Sequence, residues 1–254
     1  MDSPSINTLF TGKFLIKLSE IDSTNNFLKN WVSNNAPTDG TVILAEHQTA
    51  GRGQAGTSWQ SMPGENITMS LLYQPKFILA KDQFVLSAMV ACSVYELLSE
   101  FFSSHRIEIK WPNDIMIDKQ KICGILIENS IQGSHLQNSI IGIGLNVLQK
   151  NFQDLNTATS MHLKGYEGDT ERVLKRLLEL LEKNYLLLKA GRGDVILEQY
   201  HQVLLGKGEI RKFSDHQSEF YGIIQGVAPD GRLEISSGEG NRFFYHKEVV
   251  FLEL

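Results

Sequence analysis

Apolar and polar residues alternate from Lys13 to Leu18, which predicts a strand. Asp22-Ser23-Thr24 follows, and then Phe27, Leu28, Trp31 and Val32 at helical spacing, the pattern of a capped helix start. Thr41 to Glu46 and Asn66 to Tyr73 read as two further strands, joined by a long glycine-rich connection from Thr49 to Gly64. Residues 82 to 102 form a strongly apolar helix. Arg106 to Trp111, Asp114 to Ile117, Lys121 to Glu128 and Ser139 to Val147 are then successive strands, with Asp118-Lys119-Gln120 as a hairpin turn. Leucines at three- and four-residue intervals make Thr170 to Leu188 an amphipathic helix, and a shorter one covers about Asp194 to Leu204. After Gly206-Lys207-Gly208 the pattern changes to short alternating segments near 209–214, 219–227, 232–236 and 242–252. These are punctuated by Pro229-Asp230-Gly231 and Gly238-Glu239-Gly240, which predicts a small β-barrel. The expected division is therefore 1–205 and 206–254, in an α+β chain without internal repeats.

Composition narrows the class. With 254 residues, 42% hydrophobic and 21% charged, the chain can build a core without disulfides or a structural metal. Net charge is −5 and the isoelectric point near 5.8, so the molecule as a whole does not attract nucleic acid and any anion site must be local. The uncharged apolar stretch Gln83 to Tyr95 is too short to span a bilayer, and Met1-Asp2-Ser3-Pro4 opens no secretory signal. The expected setting is cytoplasmic, with no membrane association. Cys92 and Cys123 lie in apolar runs and read as buried thiols.

Four stretches carry candidate chemistry. Gly51 to Trp59, GRGQAGTSW, holds a formal GxGxxG, but no helix opens after it, so a dinucleotide fold is excluded. Kinase triplets and a phosphate loop are absent as well. The loop can still offer backbone amides, the forked cation of Arg52 and the flat Trp59 to an anion with a ring; from the loop alone, a solvated surface segment fits equally well. Lys110 to Asp114, KWPND, ends a strand at Pro112 and turns Asn113 and Asp114 outward, where they suit Mg²⁺ or a ribose, or a plain Asx turn. Lys121 to Glu128, KICGILIE, sets one cation at the mouth of an apolar strand thinned by Gly124. Gly142 to Val147, GIGLNV, leaves Asn146 as a polar side chain in an apolar setting, needing a partner from backbone, ligand or metal. The seven histidines show no metal-binding spacing, and no serine sits in GxSxG.

Taken in order, Ser23-Thr24-Asn25, GRGxxGxxW, KWPND, KxxGILxE and GxGxN resemble the catalytic domain of biotin protein ligases, in the form without a DNA-binding domain. The Asn151-Phe152 and Ala158-Thr159-Ser160 segment resembles the family's next loop, so nearly the whole chain is covered. The resemblance implies a mixed-sheet catalytic domain of the biotin/lipoate ligase, class II aminoacyl-tRNA synthetase-like type, followed by an SH3-like β-barrel. It implies a C–N bond-forming enzyme that uses ATP and Mg²⁺ to make biotinyl-5'-AMP and passes biotin to a lysine of a biotin carboxyl carrier protein.

Residue by residue, it places Ser23, Thr24, Asn25, Gln48, Gly51, Arg52, Lys121 and Gly124 around biotin. It places Gln54, Trp59, Lys110, Asn113, Asp114 and Asn146 around the nucleotide, with Asp114 and Asn146 toward Mg²⁺. Arg52, Lys121 and Asp114 are the expected catalytic groups, because joining a carboxylate to an α-phosphorus brings anions together. Family members often carry arginines where Gln54 and Thr57 stand, which predicts a looser hold on the adenylate here. The 22 residues ahead of Ser23 are too few for a helix-turn-helix, so no DNA binding is expected, while dimerisation is left open. Lipoate ligation, or a biotin sensor that has lost turnover, are the alternatives.

Overall fold

The computed structural model describes residues 6–152, 157–238 and 240–252. The first four residues, read above for a signal, and Glu239 of the last turn lie outside them.

Seven strands form one sheet in the order β1-β2-β3-β7-β6-β5-β4. β1 (Leu15–Ile21) runs parallel to β2 (Val42–Gln48), and every other neighbour is antiparallel, so the sheet is mixed. β3 (Asn66–Tyr73), β4 (Ile107–Lys110), β5 (Asp114–Ile117), β6 (Gln120–Gln132) and β7 (His135–Asn146) complete it. β5 and β6 turn at Asp118 and Lys119, both at positive φ (47° and 66°), the backbone of a primed two-residue hairpin.

The two faces of the sheet are built differently, and the period-2 alternation of the strands assigns residues to each. On one face α1 (Thr24–Asn34) sets Leu28 against Ile43, Leu72 and Ile140 in a small apolar cluster. The other face carries the main core, under α2 (Phe84–Phe101), α3 (Thr170–Lys189) and α4 (Gly193–Gln202). The stretch Ala80–Phe101 has the length and mean hydropathy, 1.5, of a membrane-crossing helix, yet 61% of that window is buried within the protein. It packs on β4, β5, β6, α3 and α4, which accounts for its apolar surface. Both cysteines are buried and free, and burial pushes the Cys92 thiol up to about 12.

Beyond α4 the chain pairs once with β4, through Ile109 and Leu204, and enters a five-stranded antiparallel sheet of order β11-β10-β9-β8-β12. Its strands are β8 (Ile210–Ser214), β9 (Glu219–Val227), β10 (Leu233–Ser237), β11 (Gly240–Phe244) and β12 (Val250–Phe251). The single segment expected over 242–252 is two strands. Lys247 at φ 73° breaks it, in a turn closed by the Glu248 N–H donating to the Tyr245 carbonyl at 3.0 Å.

Candidate active site

Register creates the site. Lys110 pairs with Asp114, Asp114 with Gly124, Gly124 with Gly144 and Gly144 with Thr68, so four of the sequence motifs or strands meet in one row across β4, β5, β6, β7 and β3. Thr68 and Ser70 share a face of β3 with Leu72, and Gly142 and Gly144 a face of β7 with Ile140, which puts the row on the α1 face. The two glycines leave a trough in the row where side chains would otherwise stand. A cleft of about 230 Å³ opens there.

One end of the cleft is lined by hydroxyls and amides and is neutral as a whole, its Arg52 and Glu128 charges being paired with each other. Ser23 caps α1, its side chain accepting from the Asn26 N–H, and Ser23, Thr24 and Asn25 are all buried. The Thr24 N–H and hydroxyl both donate to Gln48 Oε1, at 2.8 and 3.0 Å. Ser70 Oγ lies 2.7 Å from Thr24 Oγ1 and 2.5 Å from Asn25 Oδ1, and Asn25 Nδ2 donates to Glu128 Oε2 at 3.0 Å. Glu128 in turn accepts a fork from Arg52 at 3.3 and 3.2 Å, while Arg52 also donates to Asn26 at 2.6 Å. Burial opposes the charge on Glu128, but these donors hold its carboxyl below the ordinary range. The result is a continuous polar chain from Gln48 to Arg52 in which each rotamer is fixed by its neighbour.

The other end is charged. Lys121 Nζ and Asp114 Oδ1 are paired at 2.7 Å, and Lys121 lies 5.8 Å from the centre of the Trp59 ring. Asp114 opens β5 rather than standing out in the turn. Asn113 donates its amide to the Ile125 carbonyl and accepts the Ile125 N–H at 3.0 Å, tying the KWPND turn to β6. The peptide bond Trp111-Pro112 is cis.

The glycine-rich loop folds over the row. Gly53 N–H donates to the Thr57 carbonyl and Trp59 N–H to the Gly51 carbonyl, at 2.7 and 2.9 Å, with a one-turn 3₁₀ helix at Gln54–Gly56 between them. The Trp59 indole lies directly on Gly124 and Gly144; a methyl group at Gly144 would overlap its ring. Its Nε1 is buried without a partner. Gly51 is tight for the same kind of reason, with the Trp59 carbonyl and the Gln48 amide where a side chain would stand.

Of the residues singled out in the sequence, Ser23, Thr24, Asn25, Gln48, Arg52, Gln54, Trp59, Asn113, Asp114, Lys121 and Gly124 line the cleft. Gly51, Lys110 and Asn146 do not. Lys110 holds its ammonium 5.9 Å from the Phe251 ring centre; burial pushes its pKa below the ordinary lysine value, with Asp114 acting against that. It therefore stands beside the row's carboxylate instead of in the cleft. Asn146 continues the face of Gly142 and Gly144 one step beyond the wall. It donates to the Thr159 carbonyl at 3.0 Å, and its buried Oδ1 has no partner. Trp59, expected near a ring of the nucleotide, lines the cleft and covers the two glycines.

The structure adds Ser70 and Glu128 to the polar chain, and Gly142, His246 and Lys247 to the lining. Glu128 closes KICGILIE, and Ser70 is one of the hydroxyls of NITMSLLY, so both had a visible sequence signal. His246 and Lys247 had none. Among the described residues no group of three or more His, Cys, Asp or Glu could hold a metal ion.

Residues 18–146 match the model of the biotin/lipoate A/B protein ligase family. The chain is 31% identical over 250 residues to the bifunctional ligase/repressor BirA of Bacillus spizizenii, covering 96% of this chain and 76% of that protein. It is 38% identical over 217 residues to the biotin–[acetyl-CoA-carboxylase] ligase of Paracoccus denitrificans, covering 82% and 89%. The biotin protein ligase of Aquifex aeolicus, solved in complex with biotin and ATP, superposes with a TM-score of 0.78 at 29% identity over 94% of this chain and 98% of that one. With the matched segment running from the β1 strand through the last residue of β7, and so through every strand that builds the cleft, this chain belongs to the biotin/lipoate A/B protein ligase family.

Proposed function

We propose that the protein is an ATP-dependent biotin protein ligase, which activates biotin to biotinyl-5'-AMP and transfers it to a lysine of a biotin carboxyl carrier protein. The observation that carries this reading is the division of one cleft into a neutral polar end and a charged end. Biotin's ureido ring is uncharged and has both a carbonyl and N–H groups, which suits the hydroxyls and amides of Ser23, Thr24, Asn25 and Gln48. Its carboxylate, at the far end of an apolar chain, would run along the glycine row toward Lys121.

In the first step a carboxylate oxygen bonds to the α-phosphorus and the bond to pyrophosphate breaks. Lys121, within reach of both anions, lowers the repulsion between them, and Arg52 closes the loop over the product. In the second step the carrier lysine amine attacks the acyl carbon and AMP leaves, with Asp114 placed to orient that amine. For Mg²⁺, the Asp114 carboxylate on the wall and the unpartnered Asn146 amide oxygen are hard donors of the kind that ion accepts beside phosphate oxygens and water. These residues fit it, and there it would supply charge neutralisation on the phosphates.

The test is the intact mass of a carrier domain after incubation with MgATP and either biotin or lipoate. A biotin-sized increase that disappears with Lys121→Ala supports the reading. Transfer of lipoate alone would move the protein to the other branch of its family, and biotin binding without adenylate would make it a sensor.

A further inference from the structure

At the neutral end of the cleft, the positions of the heavy atoms settle how many protons the hydrogen-bond chain holds. One terminus of the chain is Gln48 Oε1, which must face Thr24 because the Thr24 backbone N–H donates to it at 2.8 Å. The other terminus is Asn25 Oδ1. That amide cannot turn round, because its Nδ2 faces two groups that only accept, the Glu128 carboxylate at 3.0 Å and the Leu126 carbonyl at 3.4 Å. Between these two acceptors stand the hydroxyls of Thr24 and Ser70. Thr24 Oγ1 lies 3.0 Å from Gln48 Oε1, and Ser70 Oγ lies 2.7 Å from Thr24 Oγ1 and 2.5 Å from Asn25 Oδ1.

These three links share two hydroxyl protons, so one link always has lone pairs on both sides. With the Thr24 proton on Gln48 and the Ser70 proton on Asn25, the unfilled link is the one between Thr24 and Ser70. Ser70 is fully buried and Thr24 and Asn25 nearly so, which keeps solvent from repairing it. Thr24 and Gln48 line the cleft, and Ser70 stands behind them. A ligand that donates an N–H to Gln48 Oε1 takes over the place of the Thr24 proton. The Thr24 hydroxyl then turns to Ser70, and every link is filled. A ligand ring without N–H groups leaves the shortage as it was.

We propose that Ser70 is a specificity-determining residue, which acts through Thr24 to make the cleft select a ring bearing N–H groups, a cyclic urea, over a dithiolane. This rests on the ligase reading and deepens it, since it separates the two acyl substrates that the family's name joins. Ser70 is a positioning residue: it acts behind Thr24 and takes no part in the chemistry, and the protons of the chain turn between neighbours without leaving the protein. Glu128 supports it by holding the Asn25 oxygen toward the Ser70 hydroxyl.

The experiment measures Kd by calorimetry for full-length wild type and Ser70→Ala, each with biotin and with its two cyclic carbamate analogues, in which one or the other ring N–H is replaced by oxygen. For the carbamate that wild type binds less well, the preference for biotin should be about hundredfold. In Ser70→Ala that preference should shrink about tenfold, because biotin loses the link that its N–H completes and the carbamate has no such link to lose. A hydroxyl with a merely structural role would weaken all ligands alike. A preference in Ser70→Ala equal to that of wild type therefore overturns the proposal. Alanine fits the space that serine fills, and the ratio is taken within one protein, so an inactive fraction cancels from it. Wild type that binds both carbamates, or lipoate, as tightly as biotin overturns the proposal as well. Biotin-dependent pyrophosphate release by wild type, measured alongside, decides the ligase reading separately: its absence with the biotin preference intact removes turnover and leaves the selection of N–H groups standing.

Discussion

The two ends of the cleft solve recognition by opposite means. At the neutral end Thr24, Asn25, Gln48 and Ser70 are linked to one another by hydrogen bonds, and Asn25 to Glu128, so their positions are set before a ligand arrives. At the charged end Lys121 and Asp114 satisfy each other in an ion pair that a ligand must open, and Trp59 Nε1 is buried without a partner. A preformed end favours shape and register, because little is reorganised on binding. An end with exchangeable charges favours chemistry, because cations can follow negative charge as it moves from carboxylate to leaving group. Substitutions should therefore act on different kinetic constants at the two ends.

The largest effect is expected from Lys121→Ala, which removes the cation nearest both reacting anions. Adenylate formation should fall by about 10²–10³ in kcat with biotin affinity changed far less. Single-turnover measurement of pyrophosphate release checks it; a loss confined to biotin affinity would mean that the charged end merely binds.

Next comes Gly144→Ala, at the boundary between the ends. The methyl group would occupy the place of the Trp59 ring, lifting the loop from the row. Misplacement on the scale of an ångström costs about a hundredfold in rate. The change should lower kcat/KM for biotin by about that factor while the far-ultraviolet circular dichroism stays that of wild type. Wild-type kinetics would show that the indole moves aside freely.

At the neutral end, Gln48→Ala removes the acceptor of two Thr24 donors and frees the start of α1. Losing such buried bonds is worth about tenfold in affinity. KM for biotin should rise by that factor with kcat unchanged. A fall in kcat instead would erase the proposed division of labour.

The neutral end was the more legible of the two in the sequence, and the reason is local. Ser23, Thr24 and Asn25 are consecutive, cap a helix and carry their own signal, as the strand Asn66 to Tyr73 carries its alternation. The row Lys110, Asp114, Gly124, Gly144 and Thr68 is a product of register, which residue type alone does not specify. That is why Lys110 and Asn146, sound choices by residue type, fall beside the cleft. Lys247 stands 126 positions beyond Lys121, in a segment whose alternation read as a plain strand, and only the packing of two sheets brings them to one wall. The packing of Trp59 into the trough made by two glycines is likewise a product of register, since Gly124 and Gly144 become neighbours only when β6 pairs with β7.

The smallest effect concerns the loop that spans both ends. Gln54 lines the main cleft and also a neighbouring one shared with Pro112, Asn113 and Asp230, so a charge placed there would face the nucleotide end. Gln54→Arg is expected to slow escape of biotinyl-5'-AMP from the enzyme, because an arginine can hold the phosphate where a neutral amide holds it less strongly. The change should nonetheless be only a fewfold. The loop is already closed by its own backbone bonds, Gly53 to Thr57 and Trp59 to Gly51, and is pinned at its base by Arg52 on Glu128. A new cation adds to a lid that has other fastenings, and at this half-buried position salt still screens part of it. Release of labelled adenylate from both proteins, followed at low and high ionic strength, separates the contributions. A difference that vanishes with salt assigns it to the charge. Equal release at every salt concentration would mean that the backbone bonds and the lysines of the charged end retain the intermediate without help from position 54.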